Sequence, residues 1–425
     1  MLKEFWKISE DISITENKEY QQVKGKGKII LNNTSLIPTW SKPSKEILIN
    51  RIPLKSNKES NYYLQYKNER FNLDEDYIEK LCEDLLFEHY LTKKKSFLSK
   101  IPFDYTIIPP KIRVNLFNLY LKLKKDPKFP EWPTDLTVDL LRHLYIQSIK
   151  SNKNKQVPYI WFWPNDHKVA LCITHDCDSE TSYTNIEKVR EIERKYNFKS
   201  CWNFVPSKYP LDFKKMSELE KEGCEVGIHD YDHTGKLAFE DEEIIKKKLS
   251  ESISKFKDYK IQGFRSGLLQ RNEKFLKILS EYFVYDSSVS DTDMNSPLSY
   301  RNGVCTVFPF FINKMVEIPI TMPQDWRLIR MNFNDKEMLD IWSKKIKLIT
   351  EVNGIININM HPDDFISGNE KYLKVYEELL KELSTLENVW AALPREVAEW
   401  WTERANSNIK NKIIEGSERA KIKYY

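Results

Sequence analysis

Long apolar segments and an excess of charge of one sign are both missing from this sequence. No run approaches the ~18 consecutive apolar residues that a membrane-spanning helix requires. The 67 Lys and Arg residues nearly balance the 63 Asp and Glu residues, which leaves a formal net charge of +4. A balance this close to neutral excludes a strongly basic nucleic-acid-binding protein on net charge alone. We therefore expect no membrane span and no nucleic-acid partner.

Glycine, proline and paired cysteines are also scarce. The 425 residues include only 11 Gly and 19 Pro, which excludes a collagen-like or low-complexity chain. The six cysteines are scattered without a CxxC pair, and the first residues carry charges where an export signal would be apolar. These features favour buried, reduced thiols and a cytoplasmic location.

The first 155 residues predict an N-terminal α+β region of unknown role. Hydrophobic residues make up 40% of the chain, enough for a folded core, and the length favours two to three domains or a barrel with an appendage. Strand-like runs lie at residues 29–31 and 46–52, and amphipathic helices are predicted at residues 74–90, 112–123 and 135–149. A polar linker at 151–156 would end the region, and 406–425 would form a charged C-terminal helix or tail.

From residue 168 onwards, short apolar runs alternate with helical patterns. Strands are predicted at residues 169–173, 201–205, 225–228, 261–264, 283–285, 316–320, 355–360 and 389–393. Helices are predicted at residues 183–196, 213–222, 240–256, 272–281, 335–350 and 370–383. This alternation is typical of an α/β fold with parallel strands, either a doubly wound sheet or a (β/α) barrel.

Polar residues follow five of the predicted strands at the point where each strand ends. The residues at these ends are Asp176, Asp178, His229, His233, Arg265, Asp286 and His361. In parallel α/β folds the carboxyl ends of the strands line one face, and that face carries the functional site. We therefore expect these side chains to meet in one place.

The types of these residues favour a hydrolytic metal centre. Three ligands drawn from His and carboxylate, with a position left for water, are typical of such centres. His229 and His233 are four residues apart, and neighbouring glycines favour a loop or short turn there. Asp176 and Asp178 are two apart, so they point to opposite sides of an extended backbone. One could face a metal ion and the other the attacking water, and the spacing does not assign which.

The same residues resemble the motifs of the polysaccharide deacetylase family, also called the NodB-homology or carbohydrate esterase 4 family. Five segments match in order across roughly residues 165–400. They are Thr-His-Asp-Cys-Asp at 174–178, His-Asp-Tyr-Asp-His at 229–233, Arg265 in Gly-Phe-Arg-Ser-Gly, Asp286 in Asp-Ser-Ser, and the strand ending in His361-Pro. The resemblance implies a distorted (β/α) barrel over residues 156–405.

The resemblance also implies a metal-dependent reaction. Members of the family remove N-acetyl or related acyl groups from amino sugars or polysaccharides with one divalent metal ion. By motif position the metal ligands would be Asp178, His229 and His233. Zinc is the expected ion, and Co²⁺, Fe²⁺ or Ni²⁺ would suit the same ligands.

Proton-transfer roles follow from the same motif positions. Asp176 would be the general base, and Arg265 would orient it. His361 would be the general acid, and Asp286 would tune it. An N-acylated sugar or glycan is accordingly the expected substrate.

Two departures from the family pattern leave the substrate open. Val289 stands where an aromatic residue is usual, and Ser266-Gly267 where a proline is usual. A hydrolase of an N-formyl or non-sugar amide is the alternative, since a fold does not determine the substrate. A non-catalytic carbohydrate-binding or scaffolding protein on the same fold is a second alternative, against which the retention of every ligand-type residue counts. The lysine-rich run at 246–248 is expected to be a solvated helix face.

Overall fold

A computed structural model describes most of the chain. The described residues are 2–9, 28–32, 35–40, 46–49, 52–53, 65–67, 70–72, 75–90, 129–153, 156–293 and 302–425, with the backbone alone for 28–72. The helix predicted at 112–123 lies outside these residues.

The N-terminal part contains short strands and three helices among its described residues. In chain order they are α1 (Leu2–Trp6), β1 (Lys28–Asn32), β2 (Ser35–Trp40), β3 (Glu46–Ile49), β4 (Ile52–Pro53), β5 (Gln65–Lys67), β6 (Arg70–Asn72), α2 (Glu75–Leu86) and α3 (Thr137–Lys153). The first four strands form one sheet, in the order β2-β1-β3-β4, and β5 pairs with β6. The two predicted helices that fall in described residues are confirmed. Helix α3 continues to Lys153, so the first part of the predicted linker is helical.

The rest of the chain alternates strands with helices, as predicted. Its strands are β7 (Pro158–Ile160), β8 (Val169–Cys177), β9 (Cys201–Phe204), β10 (Glu225–His229), β11 (Gly263–Arg265), β12 (Tyr285–Asp286), β13 (Phe310–Ile312), β14 (Met315–Glu317), β15 (Ile355–Met360), β16 (Val389–Ala391), β17 (Asn408–Lys410), β18 (Ile413–Glu415) and β19 (Ile422–Tyr424). Its α-helices are α4 (Ser182–Lys195), α5 (Phe213–Lys221), α6 (Glu242–Lys255), α7 (Glu273–Leu279), α8 (Asp325–Arg330), α9 (Asp335–Val352), α10 (Glu370–Leu383) and α11 (Pro394–Ala405).

One mainly parallel sheet organises this part of the molecule. Its strand order is β13-β14-β12-β11-β10-β9-β8-β15, β16 also pairs with β8, and only β13 and β14 are antiparallel. Every residue of β8, β9 and β10 is buried, as expected for strands covered on both faces. The backbone N–H groups of Thr321 and Met322 donate to the carbonyl of Asn357 in β15, which draws the two ends of the sheet together. The predicted α/β class with a distorted (β/α) barrel is confirmed.

The helices around the sheet have identifiable local signals. Helix α9 begins with a capping box, in which Asn334 and Glu337 bond reciprocally through side chain and backbone. The same helix ends at Asn353, whose φ of 61° is left-handed, a conformation that Asn adopts readily. In α10, Leu373, Tyr376 and Leu380 lie on one buried face at helical spacing. These signals explain why both helices were predictable.

The N-terminal helices pack into the same hydrophobic core as the barrel. Trp6 of α1 donates its indole N–H to the carbonyl of Arg142 in α3, at 2.8 Å. The buried Arg142 guanidinium donates to Thr306, and the Asp139 carboxylate accepts from the backbone N–H of Val307. Helix α3 is therefore held against the barrel by buried polar contacts as well as by apolar packing.

The C-terminal segment corrects one expectation. Residues 406–425 were expected to form a charged helix or tail, but the structure describes three short strands. β17 and β18 pair through a tight turn in which Asn411 and Lys412 have positive φ angles of 52° and 63°. β19 pairs antiparallel with β7. Pairing with a distant strand, which local sequence does not reveal, makes this segment extended.

All six cysteines are free and buried, as predicted for reduced thiols. Among the described residues, no helix has both the length and the apolar character needed to cross a membrane.

Candidate active site

The ends of parallel strands gather the predicted polar residues at one edge of the sheet. His229 and Arg265 are the last residues of β10 and β11, and His361 directly follows β15. Strand β8 extends to Cys177, further than predicted, so Asp176 lies inside the strand and pairs with Asn203 of β9. The sheet thus fixes the backbone from which these side chains project.

Asp178, His229 and His233 form a cluster of potential metal ligands. Asp178 Oδ1 lies 3.1 Å from His229 Nε2 and 3.2 Å from His233 Nε2. One ligand atom from each of the three residues lies within 4.8 Å of the other two. His233 has a positive φ of 60°, so the His-x-x-x-His segment is a tight loop and not a helix. Two imidazole nitrogens and a carboxylate oxygen are a donor set that hydrolytic zinc centres use, and they fit a divalent ion.

The electrostatics of the cluster suit a ligand set. Burial is the largest influence on the pKa of Asp178 and would raise it, but His233 and His229 outweigh burial and hold the pKa well below its usual range. Burial lowers the pKa of His233 to about 4, against the opposing effect of Asp178. Asp178 is therefore an anion and His233 neutral near pH 7, which are the forms that bind metal ions. Burial would lower the pKa of His229, but Asp176 and Asp178 outweigh burial and raise it, so metal binding at His229 competes with a proton.

Asp176 is buried between the cluster and His361. Its carboxylate accepts hydrogen bonds from the side-chain amides of Asn203 at 3.0 Å and Asn359 at 2.7 Å. Arg265 Nη1 lies 3.4 Å from the Oδ2 atom of Asp176. Burial would raise the pKa of Asp176, but the Arg265 guanidinium, with smaller effects from nearby imidazoles, lowers it. Asp176 is thus held as a carboxylate in a fixed orientation.

His361 is paired with a carboxylate that the sequence analysis did not identify. Asp325, at the start of α8, accepts from His361 through both the ring Nδ1, at 2.7 Å, and the backbone N–H, at 2.8 Å. Ser367 donates a third hydrogen bond to Asp325. Although burial opposes protonation, Asp325 raises the pKa of His361 to about 9. Nε2 of His361 lies 4.0 Å from Asp176.

Asp286 occupies a different environment from the one expected. It was expected to tune His361, but its carboxylate accepts hydrogen bonds from the backbone N–H and the hydroxyl of Ser288. Glu317 of the neighbouring strand is buried nearby, and burial raises the pKa of both acids. The carboxylate that contacts His361 is Asp325.

The residues that sequence reasoning missed had weak but real signals. Asn203 and Asn359 are polar residues inside otherwise apolar strand runs, where a buried amide needs a hydrogen-bond partner. Asp325 follows the predicted strand at 316–320 and precedes a helix, which is again a strand-end position. Lys208, which contacts His233 Nδ1 at 3.2 Å, lies in the loop after β9 and carried no signal of its own.

Comparisons with known proteins give matches to solved structures only. No protein-family model matches the chain, and no curated protein matches it. A crystal structure described as a "putative polysaccharide deacetylase" from Mycobacterium smegmatis is 18% identical, with a TM-score of 0.47, over 57% of this chain and 92% of that one. The PuuE allantoinase is 12% identical, with a TM-score of 0.45, over 56% and 92%. A probable polysaccharide deacetylase from Pseudomonas aeruginosa PAO1 is 14% identical, with a TM-score of 0.44, over 56% and 92%.

Proposed function

We propose that this protein is a metal-dependent hydrolase that removes N-acetyl or similar acyl groups from an amino sugar or polysaccharide. The observation that carries the proposal is the convergence of Asp178, His229 and His233 beside a buried carboxylate, Asp176, and a carboxylate-paired imidazole, His361. An acid, a base and a set of metal ligands are the groups that hydrolysis of an unreactive amide requires.

The three ligand residues would hold one divalent ion, with zinc the expected ion. The chemistry that such an ion supplies when bound is polarisation of the scissile carbonyl and a more acidic water. His229 is oriented for this task because its Nδ1 lies 3.0 Å from the carbonyl of Arg265, an acceptor, which leaves Nε2 directed at the cluster.

Asp176 takes the proton of the attacking water in this proposal. Three donors, from Arg265, Asn203 and Asn359, surround its carboxylate and favour the ionised form. The same donors restrict its rotation, so the oxygen that accepts the proton has a fixed position.

His361 gives a proton to the leaving nitrogen. An amine leaves poorly as an anion, so its departure requires protonation. Asp325 holds the proton on Nδ1 and stabilises the imidazolium, and Nε2 faces Asp176 across 4.0 Å. Acid and base are therefore close enough to act on a single amide bond from two sides.

The test combines metal content with acetate release from N-acetylated amino sugars. His229→Ala should lose the bound metal and the activity, because one of the three ligands is removed. His89→Ala is the matched control and should keep the metal and the activity. His89 is half-exposed, is distant in sequence from the cluster, and pairs with Asp84 and Glu273. A folded His229→Ala protein with full metal content would contradict the assignment.

The substrate class is tested separately. N-acetylated oligosaccharides, an N-formyl sugar and a non-sugar cyclic amide should be assayed with the same metal-loaded protein. Highest kcat/KM on the N-acetylated sugars supports the proposal. A preference for the non-sugar amide would support the proposed hydrolase activity but contradict the proposed sugar substrate. If the metal-loaded protein hydrolysed none of these substrates, the non-catalytic alternative would be favoured.

A further inference from the structure

The two imidazoles of the ligand cluster differ in what their second ring nitrogen contacts. His229 Nδ1 faces a backbone carbonyl, which accepts a hydrogen bond. His233 Nδ1 lies 3.2 Å from Nζ of Lys208, an ammonium that has donors only. For this contact to be a hydrogen bond, His233 Nδ1 must be the acceptor, and the ring proton must be on Nε2.

That protonation pattern satisfies both ring nitrogens without a metal ion. Lys208 donates to Nδ1, and the Nε2 proton of His233 points to Asp178 Oδ1, 3.2 Å away. Metal ligation through Nε2 needs the lone pair of that nitrogen, so the ring proton must move to Nδ1. Two donors, Nδ1–H and the Lys208 ammonium, would then face each other. The Lys208 contact and ligation by His233 therefore exclude one another.

We propose that Lys208 competes with the divalent ion for His233, so that metal loading displaces the Lys208 ammonium from Nδ1. This inference rests on the proposed metal-dependent function. Lys208 is half-buried in the loop that follows β9, so its side chain can turn towards solvent when displaced. A positive charge held beside a divalent cation is unfavourable, which adds to the competition. Lys208 is thus a positioning residue that lowers the affinity for metal.

Two substitutions separate the effect of losing the ammonium from the effect of gaining an acceptor. Lys208→Gln removes the charge and supplies an amide oxygen that can accept from Nδ1–H, as second-sphere partners of metal-binding histidines usually do. Its affinity for zinc should rise about 10-fold, in line with the effect of such partners. Lys208→Met removes the donor without supplying an acceptor, so its affinity should rise less.

Lys255→Gln is the matched control. The Lys255 ammonium donates to Pro206 and Ser207 in the same loop but does not contact His233. Removing it changes the charge near the loop by the same amount and should leave the zinc affinity unchanged. An equal gain in Lys255→Gln would show a general charge effect and overturn the inference.

The experiment measures zinc affinity of the full-length protein by competition with a chromophoric chelator. In parallel, ¹⁵N NMR of the metal-free protein reports which nitrogen of His233 carries the proton. The inference predicts Nε2–H in the wild type and Nδ1–H in Lys208→Gln. The inference is overturned if the wild type binds zinc and neither Lys208 variant binds it more tightly than the wild type does. It is also overturned if the His233 ring of the wild type carries its proton on Nδ1. Absence of zinc binding in every protein would instead refute the proposed metal site.

Discussion

The proton on His361 depends on one buried carboxylate. Asp325 raises the pKa of His361 to about 9, above the ordinary value for histidine. The ring is therefore protonated, and competent as an acid, at pH values below about 9, and it loses the proton as the pH rises through that value. We expect the activity to fall along an alkaline limb as this happens.

Asp325→Asn should move the alkaline limb to lower pH, because it removes the charge that raises the pKa of His361. His361→Ala should abolish the limb, with a loss of rate on the order of 10²–10⁴-fold. The measurement is kcat/KM across a pH series. Asp286→Asn is the control, since Asp286 bonds to Ser288 and not to His361. A shift of the limb in Asp286→Asn but not in Asp325→Asn would restore the role that the motif resemblance implies.

Asp176 and Asp178, the two carboxylates of the 174–178 segment, should respond differently to substitution by Asn. Asp178→Asn should lose the metal, because Asp178 lies within 3.2 Å of both ligand imidazoles. Asp176→Asn should keep the metal and lose nearly all turnover, because Asp176 is bonded to Asn203, Asn359 and Arg265. Metal analysis beside the activity assay checks both. The opposite pattern would mean that the roles are exchanged.

At the residue scale, the sequence predicted the groups that end strands and missed those that support them. Asp178, His229 and His233 are chemically distinctive and lie within five residues after apolar runs, so their positions in the sequence were enough to predict that they meet. Asn359 contacts Asp176, and Asp325 contacts His361, from elements far apart in the chain. Their partners are set by how β15 and α8 pack, which periodicity does not encode.

At the scale of elements, the buried guanidinium of Arg404 joins three segments. It projects from α11 and donates to the backbone carbonyls of Phe5 in the α1 segment and of Ile160 and Trp161 beside β7. Burial lowers the pKa of Arg404 to about 9, so the charge is kept at a cost that these hydrogen bonds offset.

Arg404→Ala should lower the free energy of unfolding by roughly 3 kcal/mol or more, because each buried carbonyl left without a partner costs ~1–3 kcal/mol. Urea denaturation measures the change. Glu399→Ala, on the solvent side of the same helix, should change stability by less than ~0.5 kcal/mol. Equal effects of the two substitutions would show that Arg404 does not join these segments.

The long elements were predictable and the short ones were not. Helices α9 and α10 have caps and a full apolar stripe, and their predicted bounds differ from the observed ones by two residues or fewer. Helix α8 has six residues, too few to show a period, and β17 to β19 depend on pairing. Local sequence identifies an element only when the element is long enough to repeat its own pattern.

At the scale of the whole molecule, the N-terminal region shares a core with the barrel. Leu2, Trp6, Ile78 and Leu141 are fully buried in the same cluster as β8 and β15. Deleting residues 1–150 should therefore expose apolar surface and reduce solubility more than it alters metal binding. The soluble fraction and binding of a hydrophobic dye measure this. A truncated protein that is soluble, stable and fully active would show that the region folds independently of the barrel.

The rate at which the buried cysteines are alkylated reports how often the surrounding structure opens. Cys177 lies between Asp176 and Asp178 at the end of β8, and burial raises the pKa of its thiol well above the usual value, so alkylation must wait until β8 opens. If a metal ion binds the closed form alone, a hundredfold excess of ion over its Kd should slow alkylation of Cys177 about 100-fold. Cys82 is buried in α2 and remote in sequence from the ligands. The metal ion should slow the alkylation of Cys82 only if α2 and β8 open together. The ratio of the two rates would then measure how tightly the two ends of the molecule are coupled, without any substrate.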